Sequence, residues 1–218
     1  MVYRIMITSL ILTILVACGS RGGGSSSGTA NGSVVSSGLK IFVTESTHVG
    51  DFENDPTLTG SNWVEKADSF CNIDQSKPDN NNYKALLVDG VNRDAVNLVN
   101  WVLQPDTTYY RSYNNVVIDK TTQDAIFPAF YSDMTNAIHD GFGLGGTPGN
   151  PPPTSNVWTG IDDASDFSTT DNCNGWSVGD NSLYALKGIV YYKGGWAFSS
   201  PGGNACAFQY RLYCVQQP

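Results

Sequence analysis

The chain has 218 residues, in which 20 Asp and Glu outnumber 12 Lys and Arg to give a formal charge of -8. A polyanion would be repelled by that field, so nucleic acid is not an expected partner. Without a Lys/Arg run, neither heparin nor anionic lipid is expected to bind strongly.

In chain order, Met1-Val2-Tyr3-Arg4 carries one positive charge and is followed by a short apolar run from Ile5 to Val16. A spanning helix needs about 20 apolar residues, whereas roughly 10 to 14 suit a signal-peptide core. Leu15-Val16-Ala17-Cys18 closes the run in the pattern of a lipobox. Residues 1–17 are therefore expected to be a lipoprotein signal peptide, with Cys18 as the lipidated residue that anchors the protein to a membrane. From Cys18 to Gly38 the chain is rich in Gly and Ser and cannot bury a core. It reads as a tether, and about 20 residues of such coil reach roughly 25 Å.

Residues 39–218 have the composition of one folded domain. Leu39 to Thr44 reads as a first strand. Ser61 is the expected N-cap of a helix that turns Trp63, Ala67, Phe70 and Cys71 inward at helical spacing. Tyr83 to Val88 reads as a second strand. Asn92 or Asp94 is then expected to cap a second helix carrying Val96, Val99, Val102 and Leu103, stopped by Pro105. Beyond Asp106, short apolar runs alternate with Gly, Asn, Asp and Pro, including a Pro/Gly loop at Gly145 to Pro153, which predicts short strands and long loops. The expected fold class is α+β. With Cys18 assigned to lipid, the other four cysteines are expected to form two disulfides in an oxidising compartment, and spacing alone leaves three pairings open.

Several motifs in order resemble a known fold. Val157-Trp158-Thr159-Gly160, Cys173-Asn174-Gly175-Trp176, Cys206 and Leu212-Tyr213-Cys214-Val215-Gln216, together with Ala67-Asp68-Ser69-Phe70-Cys71, are similar to elements of endostatin and the C-type-lectin-like fold. Lys40 to Thr44, Tyr83 to Asp89, Trp101-Val102-Leu103 and Thr108 to Arg111 resemble, more narrowly, the bacterial (leptospiral-type) endostatin-like lipoproteins. The resemblance implies two helices, short mainly antiparallel strands, long loops and nested bridges, Cys71 to Cys214 and Cys173 to Cys206. Closing a loop of more than about 100 residues contributes on the order of 4 to 5 kcal/mol in the chain-entropy model. The histidine-based zinc site and arginine surface of mammalian endostatin have no counterpart residues here. Nor are the calcium tripeptide and Trp-Asn-Asp motif of sugar-binding lectins present in place: Gln104-Pro105-Asp106 reads as a helix stop.

Chemistry-bearing residues are few. Asp162, Asp163 and Asp166, with Asp171 beyond them, form the densest acidic stretch and could offer part of the six to eight oxygen ligands of calcium. A solvated acidic loop is the favoured reading. Asp51, Glu53 and Asp55 also read as a loop. Trp158, Trp176 and Trp196 read as core or near-core residues rather than a ligand-stacking platform. His139, beside Asp140, is read as a surface or turn histidine before a general base, and no GxSxG element or free thiol supplies a nucleophile. The expected function is therefore non-enzymatic and cofactor-free. By resemblance it is a lipid-anchored surface adhesin of the outer membrane that binds a host extracellular-matrix or complement-regulatory protein. The alternatives are a lectin-like carbohydrate module, calcium-dependent or not, and a periplasm-facing structural protein or enzyme.

Overall fold

A computed structural model describes residues 38–129, 132–141 and 155–218. The Pro/Gly loop, the signal peptide and all but the last residue of the tether lie outside them, as does Cys18. Among the described residues no helix is long and apolar enough to cross a membrane.

The first strand, β1 (Leu39–Val43), lies at the centre of a five-stranded sheet of order β2-β9-β1-β3-β4. Its partners are β2 (Tyr83–Ala85), β3 (Thr108–Arg111), β4 (Val117–Lys120) and β9 (Tyr213–Gln216). Only β1 with β3 runs parallel, and the other pairs are antiparallel. Two small antiparallel pairs complete the strands among the described residues. One joins β5 (Asn156–Trp158) to β7 (Lys187–Ile189), and the other joins β6 (Tyr184–Ala185) to β8 (Asn204–Ala205).

The central strands β1 and β9 are packed on both faces, which explains why Leu39 to Val43 reads as a nearly continuous apolar run. Side chains alternate along a strand. Ile41 and Val43 join one core with Trp101, Phe127, Phe167 and Phe198, while Phe42 between them joins a second core with Trp63, Trp158 and Trp176. Likewise Tyr213 and Val215 face the first core and Cys214 the second.

Helix α1 (Trp63–Ile73) presses Trp63, Val64, Ala67, Phe70 and Cys71 onto the second core. Its N-cap is Asn62, one residue later than expected. The Asn62 side chain accepts the Glu65 N–H at 3.0 Å, while the Glu65 carboxylate reaches back to the Ser61 N–H at 2.7 Å. Ser61 is thus the reciprocal partner of Glu65 rather than the cap. Both bridges pair as the resemblance implied: Cys71–Cys214 staples α1 to the sheet across 143 positions, and Cys173–Cys206 is nested within it.

The expected helix over residues 94–103 does not form. The Asp94 carboxylate takes the Val96 N–H at 2.8 Å and the Asn97 amide, and the Asp94 N–H bonds the Val99 carbonyl, closing a tight turn. Leu98 and Asn100 adopt left-handed φ of 56° and 47°. A side-chain acceptor competing for backbone N–H groups outbids the helix here. Gln104-Pro105-Asp106 accordingly stops no helix; it leads into β3, with Gln104 donating to the Tyr109 hydroxyl at 2.8 Å. The second helix is α2 (Cys173–Trp176), a single turn in which φ is 52°, 56°, 67° and 58°. All four residues are left-handed, an arrangement that costs roughly 1–2 kcal/mol for each non-glycine residue.

Candidate binding surface

The loop after β2 is organised by Asp89. Its carboxylate accepts the Val91, Asn92 and Arg93 N–H groups at 3.0, 2.8 and 3.1 Å, the Asn92 side-chain amide at 2.7 Å and the Trp63 indole N–H at 3.0 Å. Burial would raise its carboxyl pKa, but these donors outweigh burial and hold it below the usual carboxylate value. Arg93, fully buried, grips both oxygens of Asp68 on α1 and the Ala85 carbonyl at 2.6 Å. Its guanidinium lies 6.0 Å from the Trp63 ring centroid.

This frame displays apolar side chains outward. Val91, Val96, Leu98 and Val99 are 73%, 55%, 57% and 40% exposed, while Trp101, Val102 and Leu103 immediately after them are buried. Beside them a groove of about 440 Å³ is walled by Val64, Val91 and Val99, with Glu65, Lys84 and Asn100 on its polar side. Sequence reasoning placed Val96 and Val99 on a second helix with Val102 and Leu103 and so did not find them as a surface loop. Asp94 with Asn97, and Asn100 after them, were the signals of a turn.

The surface continues to a second feature. Gly90 packs beside Thr169, and the Asn172 side-chain amide donates to the Asp89 carbonyl at 3.2 Å. A hollow of about 510 Å³ opens there, lined by Thr170, Asp171, Asn174, Leu183, Tyr184 and Gly203. The bridge Cys173–Cys206 ties its two walls together.

The acidic stretch is spread out. Asp163 and Asp166 each accept the N–H two residues on, from Ser165 and Ser168 at 2.8 Å, and Asp171 lines the hollow. Among the described residues no three His, Cys, Asp or Glu side chains are gathered to hold a metal ion. Trp158 and Trp176 are buried, their indole N–H groups bonded to the carbonyls of His48 and Val88. Trp196 is instead exposed at the end of an aromatic ledge, 5.1 Å from the Tyr192 ring, which is 5.0 Å from Tyr191. The near-core reading fails for Trp196 because Gly195 to Ala197 forms a 3-10 turn that buries Ala197 in its place.

The two histidines are structural in geometry. His48 faces the Val49 carbonyl through Nδ1 at 2.6 Å and Asp55 through Nε2 at 2.9 Å, and stacks on Phe52. Burial opposes ionisation of Asp55, yet hydrogen bonds from Thr57 and His48 hold its pKa down at about 2. His139 is largely buried, which lowers its pKa to about 4 despite Asp140 beside it. Its Nδ1 accepts the Gly141 N–H at 3.0 Å, so the neutral ring carries its proton on Nε2 and presents a donor there rather than a base's lone pair.

Fold and site together define a disulfide-stapled α+β domain that displays braced loops. Residues 56–192, more than half of the chain, match the family described as Protein of unknown function (DUF1554). The chain belongs to that family. No curated protein matches it.

Proposed function

We propose that the protein is a lipid-anchored binding module of the outer membrane, tethered through Cys18 and recognising a host extracellular-matrix or complement-regulatory protein by contact rather than by catalysis. The partner class comes from the resemblance to the bacterial endostatin-like lipoproteins. The observation that carries the reading is the row of Val91, Val96, Leu98 and Val99, exposed on a loop that Asp89 and Arg93 brace from beneath. Apolar side chains grouped on a surface favour burial against another protein, and a braced loop loses little entropy when bound. The test is binding of the oxidised full-length protein, at micromolar concentration, to immobilised laminin, fibronectin, plasminogen and complement regulators. Saturable binding to at least one is expected; failure with all of them removes the adhesin reading. Protease shaving of intact cells checks exposure, and full protection would point to a periplasm-facing role.

A lectin-like carbohydrate module is the second reading, favoured by the Tyr191, Tyr192 and Trp196 ledge. Aromatic faces of this kind stack on sugar rings. Absence of binding on a glycan array would count against it, and binding that survives Trp196→Ala would place the sugar site away from the ledge. Calcium would be assigned to Asp162, Asp163, Asp166 and Asp171 only if loss of binding in EDTA is reproduced by their Asn variants.

A further inference from the structure

We propose that the hollow beside the left-handed turn is a receptor for one cationic side chain, arginine or lysine, presented by a bound protein. This goes beyond the apolar-loop reading and concerns a separate pocket.

The lining selects for a donor. The Asp171 carboxylate has no hydrogen-bond partner among the described residues, and none of the residues lining the hollow is basic. Asn174 gives one of its two amide N–H groups to the Ser177 hydroxyl at 3.1 Å and keeps its carbonyl oxygen as an acceptor. Asn172 is turned toward the protein, donating one amide N–H to the Asp89 carbonyl and accepting the Gly175 N–H at 2.8 Å. The one charged group of the lining is thus the Asp171 carboxylate, whose oxygens can only accept. Guanidinium and ammonium groups are donors only and carry the opposite charge. Exposed Tyr184 adds an aromatic surface of the kind on which such cations rest, and exposed Leu183 can cover the alkyl stem. Gly203 keeps the floor open: a methyl there would stand 3.2 Å from Tyr184 Cβ and 3.8 Å from an Asp171 carboxylate oxygen.

The hollow is also built rather than incidental. One wall follows Thr170 to Asn174 into the left-handed turn, the other is Gly203 leading into β8, and the disulfide Cys173–Cys206 links them. Buried Trp176 pins the turn by donating to the Val88 carbonyl at 2.9 Å. Positioned acceptors lose little on binding. The wider field points the same way, because the domain carries ten basic residues against twenty acidic ones once Arg4 and Arg21 are set aside.

The test is an NMR titration of the oxidised, 15N-labelled full-length protein with N-acetyl-arginine-N-methylamide. Citrulline analogue, methyl glucoside and calcium chloride form parallel arms. The proposal predicts saturable shifts centred on Asp171, Asn174, Tyr184 and Gly203, with a dissociation constant on the order of millimolar. Citrulline should bind at least about tenfold more weakly. Asp171→Asn should weaken arginine by a similar factor while leaving the thermal midpoint unchanged, and Tyr184→Ala should weaken it independently. Three results overturn it: no shifts at tens of millimolar, equal response to citrulline, or shifts spread over the acidic surface and indifferent to Asp171→Asn. Methyl glucoside or calcium moving the same amides in place of arginine would reassign the hollow. Because the probe needs no partner protein, this inference and the apolar-loop reading fail separately.

Discussion

Arg93 and Asp68, 25 positions apart, form a two-pronged ion pair at 2.9 and 2.8 Å in which the guanidinium is fully buried. Asp68 also accepts the Ala85 N–H at 2.8 Å, so one carboxylate links α1, β2 and the apolar loop. Removing it strands a buried cation. Asp68→Ala should lower the unfolding free energy by about 3 kcal/mol, read from denaturant midpoints of the oxidised protein. A loss under about 1 kcal/mol would mean the pair does not organise the domain.

Asp89 is expected to act on the loop more than on the fold. Asp89→Asn keeps the shape but replaces one acceptor oxygen by a donor that faces N–H groups. The global cost should be about 1–3 kcal/mol, and amide exchange over residues 90–100 should quicken more than in β1 or β9. Equal quickening everywhere would contradict the bracing role.

Gly160 is predicted to reject alanine. Its φ is +69°, and an added methyl would meet the Val88 carbonyl and lie 2.9 Å from the Trp176 ring. Gly160→Ala should cost about 2–4 kcal/mol, seen as a lower thermal midpoint. The Val-Trp-x-Gly motif thus has a packing reason: its glycine lets β5 pass against the Asp89 loop.

His139 makes stability fall with acid. Burial holds its folded pKa at about 4, against an ordinary value of 6.5, while Arg111 and Arg211 also disfavour its charge and Asp140 only partly offsets them. The unfolded chain therefore takes up a proton first as pH drops. This contribution is complete above pH 6.5 and is lost as pH falls from there to about 4, in total about 3 kcal/mol. Asp55 acts in a lower window, losing its contribution between about pH 4 and 2. His139→Asn, whose side-chain oxygen can accept the Gly141 N–H, should flatten the curve from pH 6.5 to 4. An unchanged curve would show that another group governs it.

Much of this fold was legible in the sequence, for identifiable reasons. Strands buried on both faces announce themselves as apolar runs, so β1 and the start of β2 were read correctly, and α1 was placed within a residue by its period, with Ser61 taken for the cap that Asn62 provides. What failed was local. The spacing of Val96, Val99, Val102 and Leu103 imitates a helix, but Asp94 captures the backbone first and only the last two turn inward. The left-handed turn at Cys173 to Trp176 carries one glycine in four residues, and its conformation rests on partners at distant positions, Cys206 through the disulfide and the Val88 carbonyl that holds the Trp176 indole. Both features that shape the candidate surface therefore arise from tertiary competition, which periodicity does not report.

The central claim, that the braced apolar loop is the contact surface, is tested most directly by one comparison. Val96→Asp and Leu98→Asp, made together in the oxidised full-length protein, alter only exposed side chains. Binding to whichever matrix or complement protein the wild type captures should weaken at least about tenfold, or about 1.4 kcal/mol, with the thermal midpoint unchanged. Undiminished binding by a stable variant would contradict the account.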